Sequence, residues 1–272
     1  MISDILSLRW LHCAGYEIRL PCGKTIVTDP FLTTQDFGGF TWENIEGADY
    51  ILVTHTHGDH TSDVGNLVEK FRSQVVVGQM SCNSLVEYFD LNYSTIWPVL
   101  PGQQIDFGDF VLHVYPGKHT EKWREDYRPS QAYQIPGIGG SEGSYRDGNH
   151  FGGMEFLNFG ITTQEGLRIL VAGGLPDDRN LYRETWNFRP NILIRQVNAR
   201  STPAEYAAIT APYGAQFVFP HHHEKIPTQT GISIEEYCRQ VNQEYQKIGI
   251  RARMVYPEKF HWVDLKMAAE LR

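Results

Sequence analysis

Residues 50–60 read YILVTHTHGDH, and this stretch decides the fold of the chain. Its apolar start predicts a buried strand, after which the chain passes at once through three imidazoles and one carboxylate. Imidazole and carboxylate are ligands that suit zinc, manganese or iron. Because several polar groups at a strand end are costly to bury without partners, the stretch predicts a metal site.

The spacing of these side chains predicts which of them share an ion. His55 and His57 are separated by one residue on a tight loop, so both can point at one metal. Asp59 and His60 follow on the same loop and could serve a second ion nearby. The first pair needs a further ligand, and His119, just after a predicted strand, is the best candidate. Three protein ligands with one open position are typical of catalytic metal sites.

A second group of histidines follows the predicted strand at residues 216–219. His221, His222 and His223 are consecutive, and only one of them need be a ligand. The run could equally be a solvated turn. The spacing alone leaves the choice among the three open.

The composition bounds the class of protein. The chain has 272 residues, of which 41% are hydrophobic and 21% charged, as in ordinary globular proteins. Its formal net charge of -8 argues against binding to a nucleic-acid backbone. The first residues lack the pattern of a signal peptide, and no apolar stretch reaches the length of a membrane span. We expect a cytoplasmic protein with a small-molecule substrate and no membrane partner, and leave a homo-oligomer open.

The four cysteines carry no recognisable spacing. Cys13, Cys22, Cys82 and Cys238 lie apart from one another, without CxxC pairs. We interpret them as reduced thiols, with a Cys13–Cys22 disulfide across a hairpin as the alternative.

Strands and helices alternate in both halves of the chain, which predicts sheets covered by helices. The pattern fails from Glu121 to Gly153, a long stretch rich in Gly, Arg, Tyr and Ser. Long irregular segments in compact domains are usually functional or disordered, and the aromatic residues of this one favour an ordered, substrate-facing segment over a loose linker. We therefore predict a single domain over residues 1–272, with an insertion at residues 121–153 near the active site.

Residues 54–60, THTHGDH, match the HxHxDH signature of the metallo-β-lactamase superfamily. The resemblance covers nearly the whole chain except the insertion. Residues 26–30 resemble the early strand that ends in an aspartate, and residues 102–120 resemble the approach to the third histidine. Residues 207–222 resemble the last metal strand. Within the superfamily, the chain looks most like the branch that contains L-ascorbate-6-phosphate lactonase.

This resemblance implies an α/β (α+β) fold, the four-layer αββα sandwich of the metallo-β-lactamase type, with metals where strand ends converge. The implied first-metal ligands are His55, His57 and His119. The implied second-metal ligands are Asp59, His60 and His222, with His221 and His223 as register alternatives. Asp29 would brace a histidine from behind, and Asp59 is the candidate catalytic carboxylate.

The resemblance also implies a chemistry. A metal-bound hydroxide would attack a carbonyl carbon or a phosphorus, which makes the chain a metal-dependent hydrolase of a small ester, lactone or phosphodiester. The expected cofactor is Zn²⁺, with Mn²⁺ or Fe²⁺ as alternatives, at one or two ions per chain.

One departure from the pattern concerns the second metal. The family usually bridges its metals with an aspartate after a glycine at a strand end, whereas this chain has Gly173-Gly174 there. Gly174 cannot coordinate through a side chain, and Asp177 or Asp178 would have to reach back. We therefore expect weaker binding of a second metal, and hold a catalytically weak or inactive binding protein as the alternative. A nuclease of the same superfamily is a further alternative, against which the acidic charge argues.

Overall fold

The computed structural model describes residues 5–33, 37–118, 155–173, 179–198 and 201–266. The predicted insertion at residues 121–153 and the candidate ligand His119 lie outside these ranges. So do Gly174, Asp177 and Asp178. The single domain predicted for residues 1–272 stays a prediction.

The described strands form two seven-stranded sheets. The first has the order β14-β1-β2-β3-β4-β5-β6 and the second the order β13-β12-β11-β10-β9-β8-β7. The strands of the first sheet are β1 Ile5–His12, β2 Gly15–Arg19, β3 Thr25–Thr28, β4 Tyr50–Leu52, β5 Gln74–Gly78, β6 Ile96–Val99 and β14 Val263–Lys266. The strands of the second are β7 Gln104–Asp106, β8 Phe110–Pro116, β9 Leu157–Thr163, β10 Arg168–Ala172, β11 Ile192–Gln196, β12 Phe217–His221 and β13 Arg253–Met254.

Both sheets are mixed and share one plan. In the first, β14, β1, β2 and β3 pair antiparallel, and β3 to β6 pair parallel. In the second, β7 to β10 pair antiparallel and β10 to β13 parallel. Central parallel strands are covered on both faces, which is why β4 and β5 are almost entirely apolar. Loops that follow such strands leave the sheet at its carboxyl edge, where ligand sites commonly form.

The helices lie between these strands, and two of them begin at a capping side chain. They are α1 Gly58–Thr61, α2 Val64–Phe71, α3 Cys82–Phe89, α4 Arg179–Asn187, α5 Pro203–Thr210, α6 Ile226–Thr230 and α7 Ile234–Lys247. The Thr202 side chain accepts from Glu205 N before α5, and Ser233 does the same for Glu236 N before α7. These bonds satisfy amide groups that a helix start leaves without intrahelical partners.

Three buried clusters show the layering. The largest joins Leu8 and Leu52 of the first sheet to Phe159 and Phe219 of the second, so the sheets pack face to face. A second cluster packs the outer face of the first sheet against α2 and α3, and a third packs the second sheet against α5 and α7. Helix, sheet, sheet and helix thus form four layers. The predicted αββα sandwich is confirmed.

Two further expectations can be compared with this structure. Cys13, Cys22, Cys82 and Cys238 are all free thiols, so the alternative of a Cys13–Cys22 disulfide is wrong. Among the described helices, none combines the length and the apolar character that crossing a bilayer requires.

Candidate metal centre

Residues 54–60, which we call the histidine loop, follow strand β4 at the carboxyl edge of the first sheet. Strand β4 lies between the parallel strands β3 and β5, so the loop starts from a rigid, fully covered position. The predicted ligands His55, His57 and His60 are 3%, 1% and 3% exposed. Their burial places several polar ring atoms where water is scarce, so each ring needs a specific partner.

His55 and His57 converge, as their spacing predicts. His55 Nε2 lies 3.2 Å from His57 Nδ1, and Thr54 Oγ1 lies 3.1 Å from His55 Nδ1. The Thr54 hydroxyl donates its one proton to Asp29 Oδ2 at 2.7 Å, so Thr54 can only accept from His55. This assigns the proton of His55 to Nδ1 and leaves Nε2 as the atom that can bind a metal.

Asp29 contacts the histidine loop through both of its carboxylate oxygens. Its Oδ1 accepts the Thr54 amide at 2.8 Å, and its Oδ2 lies 3.0 Å from His60 Nδ1. Asp29 is 1% exposed and has a positive φ of 39°, a backbone conformation that a non-glycine residue rarely adopts. The structure therefore places Asp29 in contact with both Thr54 and His60. Its effect on metal binding stays a prediction.

We expect Asp29→Asn to weaken metal binding by about 10- to 100-fold. The amide replaces one acceptor oxygen by a donor, so it cannot accept from Thr54 and His60 together. Asp49→Asn is the matched control. Asp49 also accepts a backbone amide, that of Thr25, but lies beside the start of β4, at the opposite end of the strand. Competition with a chelating dye measures the affinity, and equal affinities in the two variants would contradict the bracing role.

Asp59 and His222 meet on the other side of the loop. His222 Nε2 lies 3.7 Å from Asp59 Oδ2, and His60 Nε2 lies 3.9 Å from Asp59 Oδ1. Burial alone would raise the pKa of Asp59, but the imidazoles of His60 and His222 hold it well below its usual range. Although burial lowers it, the pKa of His60 is raised overall by Asp29 and Asp59. Asp59 therefore stays ionised and offers a negative charge to a cation.

The structure distinguishes the three consecutive histidines. His221 ends β12, with its Nε2 3.2 Å from the Ala172 carbonyl oxygen, and burial lowers its pKa well below the usual value. His223 is fully buried against the Trp10 ring at 4.0 Å, and burial lowers its pKa to about 3. His222 faces Asp59 because a positive φ of 56° turns the chain out of the strand. This geometry favours His222, and its ligand role stays a prediction.

Cys13 is a further candidate ligand, which no sequence motif indicated. Within the described ranges, one group of three side chains has ligand atoms that all lie within 4.8 Å of one another, and its members are Cys13, Asp59 and His222. Burial raises the pKa of the Cys13 thiol, and the carboxylates of Glu224 and Asp59 raise it further. No sequence spacing pointed to Cys13, because it lies far from its two neighbours along the chain.

Within the described part of the chain, the end of β10 supplies no carboxylate to this group. Strand β10 ends at Ala172, so Gly173 is the first residue beyond it. A side chain at Gly173 would bring its Cβ within 2.4 Å of Phe156 Cζ. The Phe156 ring also lies 4.7 Å from the His55 ring, so an aromatic ring occupies the space between β10 and the histidine loop.

The donor set fits a divalent transition metal. His55 and His57 bring ring nitrogens together at 3.2 Å, and Asp59 Oδ1 is buried without a hydrogen bond. Imidazole nitrogen, carboxylate oxygen and cysteine sulfur are the ligand types found in zinc sites. The structure thus brings together five of the predicted ligands, namely His55, His57, Asp59, His60 and His222. The sixth, His119, lies outside the described residues.

Comparisons with known proteins show what this chain resembles in sequence and in fold. Residues 24–138 match the family model described as a β-lactamase superfamily domain. The chain is 28% identical over 231 residues to a UPF0173 metal-dependent hydrolase of Cupriavidus necator, covering 82% of this chain and 75% of that protein. Its fold is similar to that of Igni18, a metallo hydrolase of Ignicoccus hospitalis, with a TM-score of 0.66, 14% identity and coverage of 97% and 100%. The metallo-β-lactamase fold protein YhfI of Bacillus subtilis gives a TM-score of 0.59, 13% identity and coverage of 96% and 100%.

Proposed function

This chain belongs to the metallo-β-lactamase superfamily, and from that premise we propose that it is a metal-dependent hydrolase of a small ester, lactone or phosphodiester. The observation that carries the proposal is the convergence of His55 Nε2 and His57 Nδ1 to 3.2 Å on a buried loop. Asp59 and His222, 3.7 Å apart, would hold a second ion beside the first. The metal-dependent hydrolases among its relatives support the same reaction class.

A bound divalent ion would lower the pKa of a water molecule and polarise the oxygen of the scissile bond. The chain would hold the ion and fix the histidine tautomers. Thr54 accepts the Nδ1 proton of His55, which would leave Nε2 for the ion, and Asp29 orients His60. Because the pKa of Asp59 lies well below its usual range, this carboxylate would hold the cation rather than take up a proton near neutral pH.

Metal removal tests the proposal. We expect the purified protein to carry one or two equivalents of zinc, manganese or iron by elemental analysis. Dialysis against a chelator should abolish hydrolysis in a panel of ester, lactone and phosphodiester substrates. Adding the same metal back should restore it, because the ligands are held in place by the fold. Metal-free protein, or chelator-resistant hydrolysis, would overturn the proposal.

A second candidate function is a binding protein that holds metal without turnover. The specific observation in its favour is that a Cβ at Gly173 would lie 2.4 Å from Phe156 Cζ, so the first residue beyond β10 has no room for a ligating side chain. Full metal occupancy without hydrolysis of any panel substrate would favour this candidate. Metal-dependent turnover of one substrate would exclude it.

A further inference from the structure

We propose that Cys13 is a thiolate ligand of the second metal ion, where it completes a site with Asp59 and His222. The proposal rests on the proposed function, since it concerns an ion of the same centre. It assigns a role to a residue outside the HxHxDH signature, at a centre where this chain has Gly174 at the usual bridging position.

The distances allow a single ion to be shared. The ligand atoms of Cys13, Asp59 and His222 all lie within 4.8 Å of one another, and His222 Nε2 is 3.7 Å from Asp59 Oδ2. In a tetrahedral zinc site with ordinary bond lengths, neighbouring ligand atoms are about 3.3–3.6 Å apart. Side-chain rotations that move each atom by about 1 Å or less would therefore seat an ion among the three.

The backbone brings Cys13 and His222 together from different sheets. Cys13 follows β1 of the first sheet, and His222 follows β12 of the second. The His222 amide donates to the Cys13 carbonyl oxygen at 3.0 Å, and Trp10 Nε1 donates to the same oxygen at 3.1 Å. Cys13 and His222 both have positive φ, at 45° and 56°. Strained backbone of this kind persists only where its surroundings hold it, and it is concentrated at functional sites.

Two carboxylate oxygens beside these ligands are buried without a hydrogen-bond donor, and a bound cation would compensate for that. Asp59 Oδ1 and Glu224 Oε2 are buried and make no hydrogen bond. Such atoms are costly in a folded protein unless something compensates for their lost hydration. The Asp59 carboxylate and a Cys13 thiolate together balance the charge of a divalent ion, and His222 adds a neutral nitrogen.

Metal binding by Cys13 requires the loss of its thiol proton, and the chain offers an acceptor for that proton. Coordination breaks the S–H bond of Cys13 and forms a sulfur–metal bond, with no transfer of electrons. The Cys13 sulfur lies 3.5 Å from Glu224 Oε1, so this carboxylate can take the released proton and pass it to solvent. A thiol that coordinates a metal ion is deprotonated outright.

Reconstitution of the full chain with Co²⁺ tests the proposal directly, because a cobalt–thiolate bond produces a near-ultraviolet charge-transfer band. We expect this band in the wild-type protein as the second equivalent of Co²⁺ binds. Cys13→Ser should lose the band and bind the second equivalent about 10- to 100-fold more weakly. Cys22→Ser, at a half-buried cysteine in the β2–β3 turn, is the matched control. It should keep the band and the affinity for the second equivalent of Co²⁺.

Two further variants separate the outcomes. Cys13→Asp supplies an oxygen ligand, so this variant should bind the second Co²⁺ without the band. If Cys13 only filled space, Cys13→Asp would bind the second Co²⁺ no better than Cys13→Ser. His57→Ala should lose the first ion and keep the band. Wild-type protein that binds Co²⁺ and hydrolyses substrate without a thiolate band would overturn the role of Cys13 alone. Protein that binds no Co²⁺ would overturn the proposed function as well.

Discussion

His57→Ala is expected to reduce kcat/KM by more than the 10- to 100-fold that loss of a supporting hydrogen bond around a metal ligand typically costs. His57 is 1% exposed, and its Nδ1 lies 3.2 Å from His55 Nε2. Alanine removes one of the two convergent nitrogens and leaves the buried loop without a replacement. The metal content should fall by one equivalent in parallel with the activity.

His261→Ala is the matched control for this loss. The His261 side chain is 68% exposed and lies near Glu258, so its removal changes the histidine count without touching the loop. Elemental analysis and steady-state kinetics on both variants separate the two outcomes. If His57→Ala retained full metal and full activity, the assignment of the first site to the histidine loop would be wrong.

Glu17→Ala is expected to lower the free energy of unfolding by about 3–5 kcal/mol. The Glu17 side chain is 0% exposed and Arg9 6% exposed, with Arg9 Nη2 2.6 Å from Glu17 Oε2. Glu17 Oε1 also accepts the amides of Glu46 and Gly47, at 2.9 and 3.0 Å. Removal of the carboxylate would leave the Arg9 guanidinium buried beside the remaining, more exposed Glu46.

The pKa of Glu17 indicates what this pair does for stability. Burial raises the pKa of Glu17 by more than Arg9 and the two backbone amides lower it. An acid with a raised pKa in the folded state favours folding most when it is protonated. Stability from this group should therefore fall as the pH rises from the unfolded pKa to the folded pKa. Burial of the Arg9–Glu17 pair therefore costs free energy of folding. Removal of one partner costs more, because it leaves the other charge buried and less well paired.

Urea denaturation followed by circular dichroism measures the loss. Glu236→Ala is the control, because Glu236 pairs with Arg239 at 2.6 Å on the exposed face of α7 and its removal should change stability little. The double variant Arg9→Leu/Glu17→Leu should recover part of the loss, since it removes both buried charges. A Glu17→Ala midpoint equal to that of the control would contradict the argument.

Local patterns were sufficient for much of the fold. The apolar run at the start of residues 50–60 predicted β4, and Ser233, a favoured capping residue, stands directly before the first residue of α7. Strand β14 was missed, because Val263–Lys266 alternates exposed and half-buried residues at a sheet edge and has no strong apolar signal. Period and capping are properties of neighbouring residues, so a sequence displays them directly.

For the candidate site too, some residues could be identified from the sequence and others could not. The histidine loop could be identified from the sequence, because residues 54–60 are contiguous and follow an apolar run that predicts a buried strand. The sequence also marked Asp29 and the group at His222 through their resemblance to known motifs. The three-dimensional fold was needed to show that His222, rather than His221 or His223, faces Asp59, and that Cys13 lies beside them. Those positions depend on strands β1 and β12 of two packed sheets and on positive-φ turns at their ends. No spacing along the chain encodes contacts between residues that only the packing of the two sheets brings together.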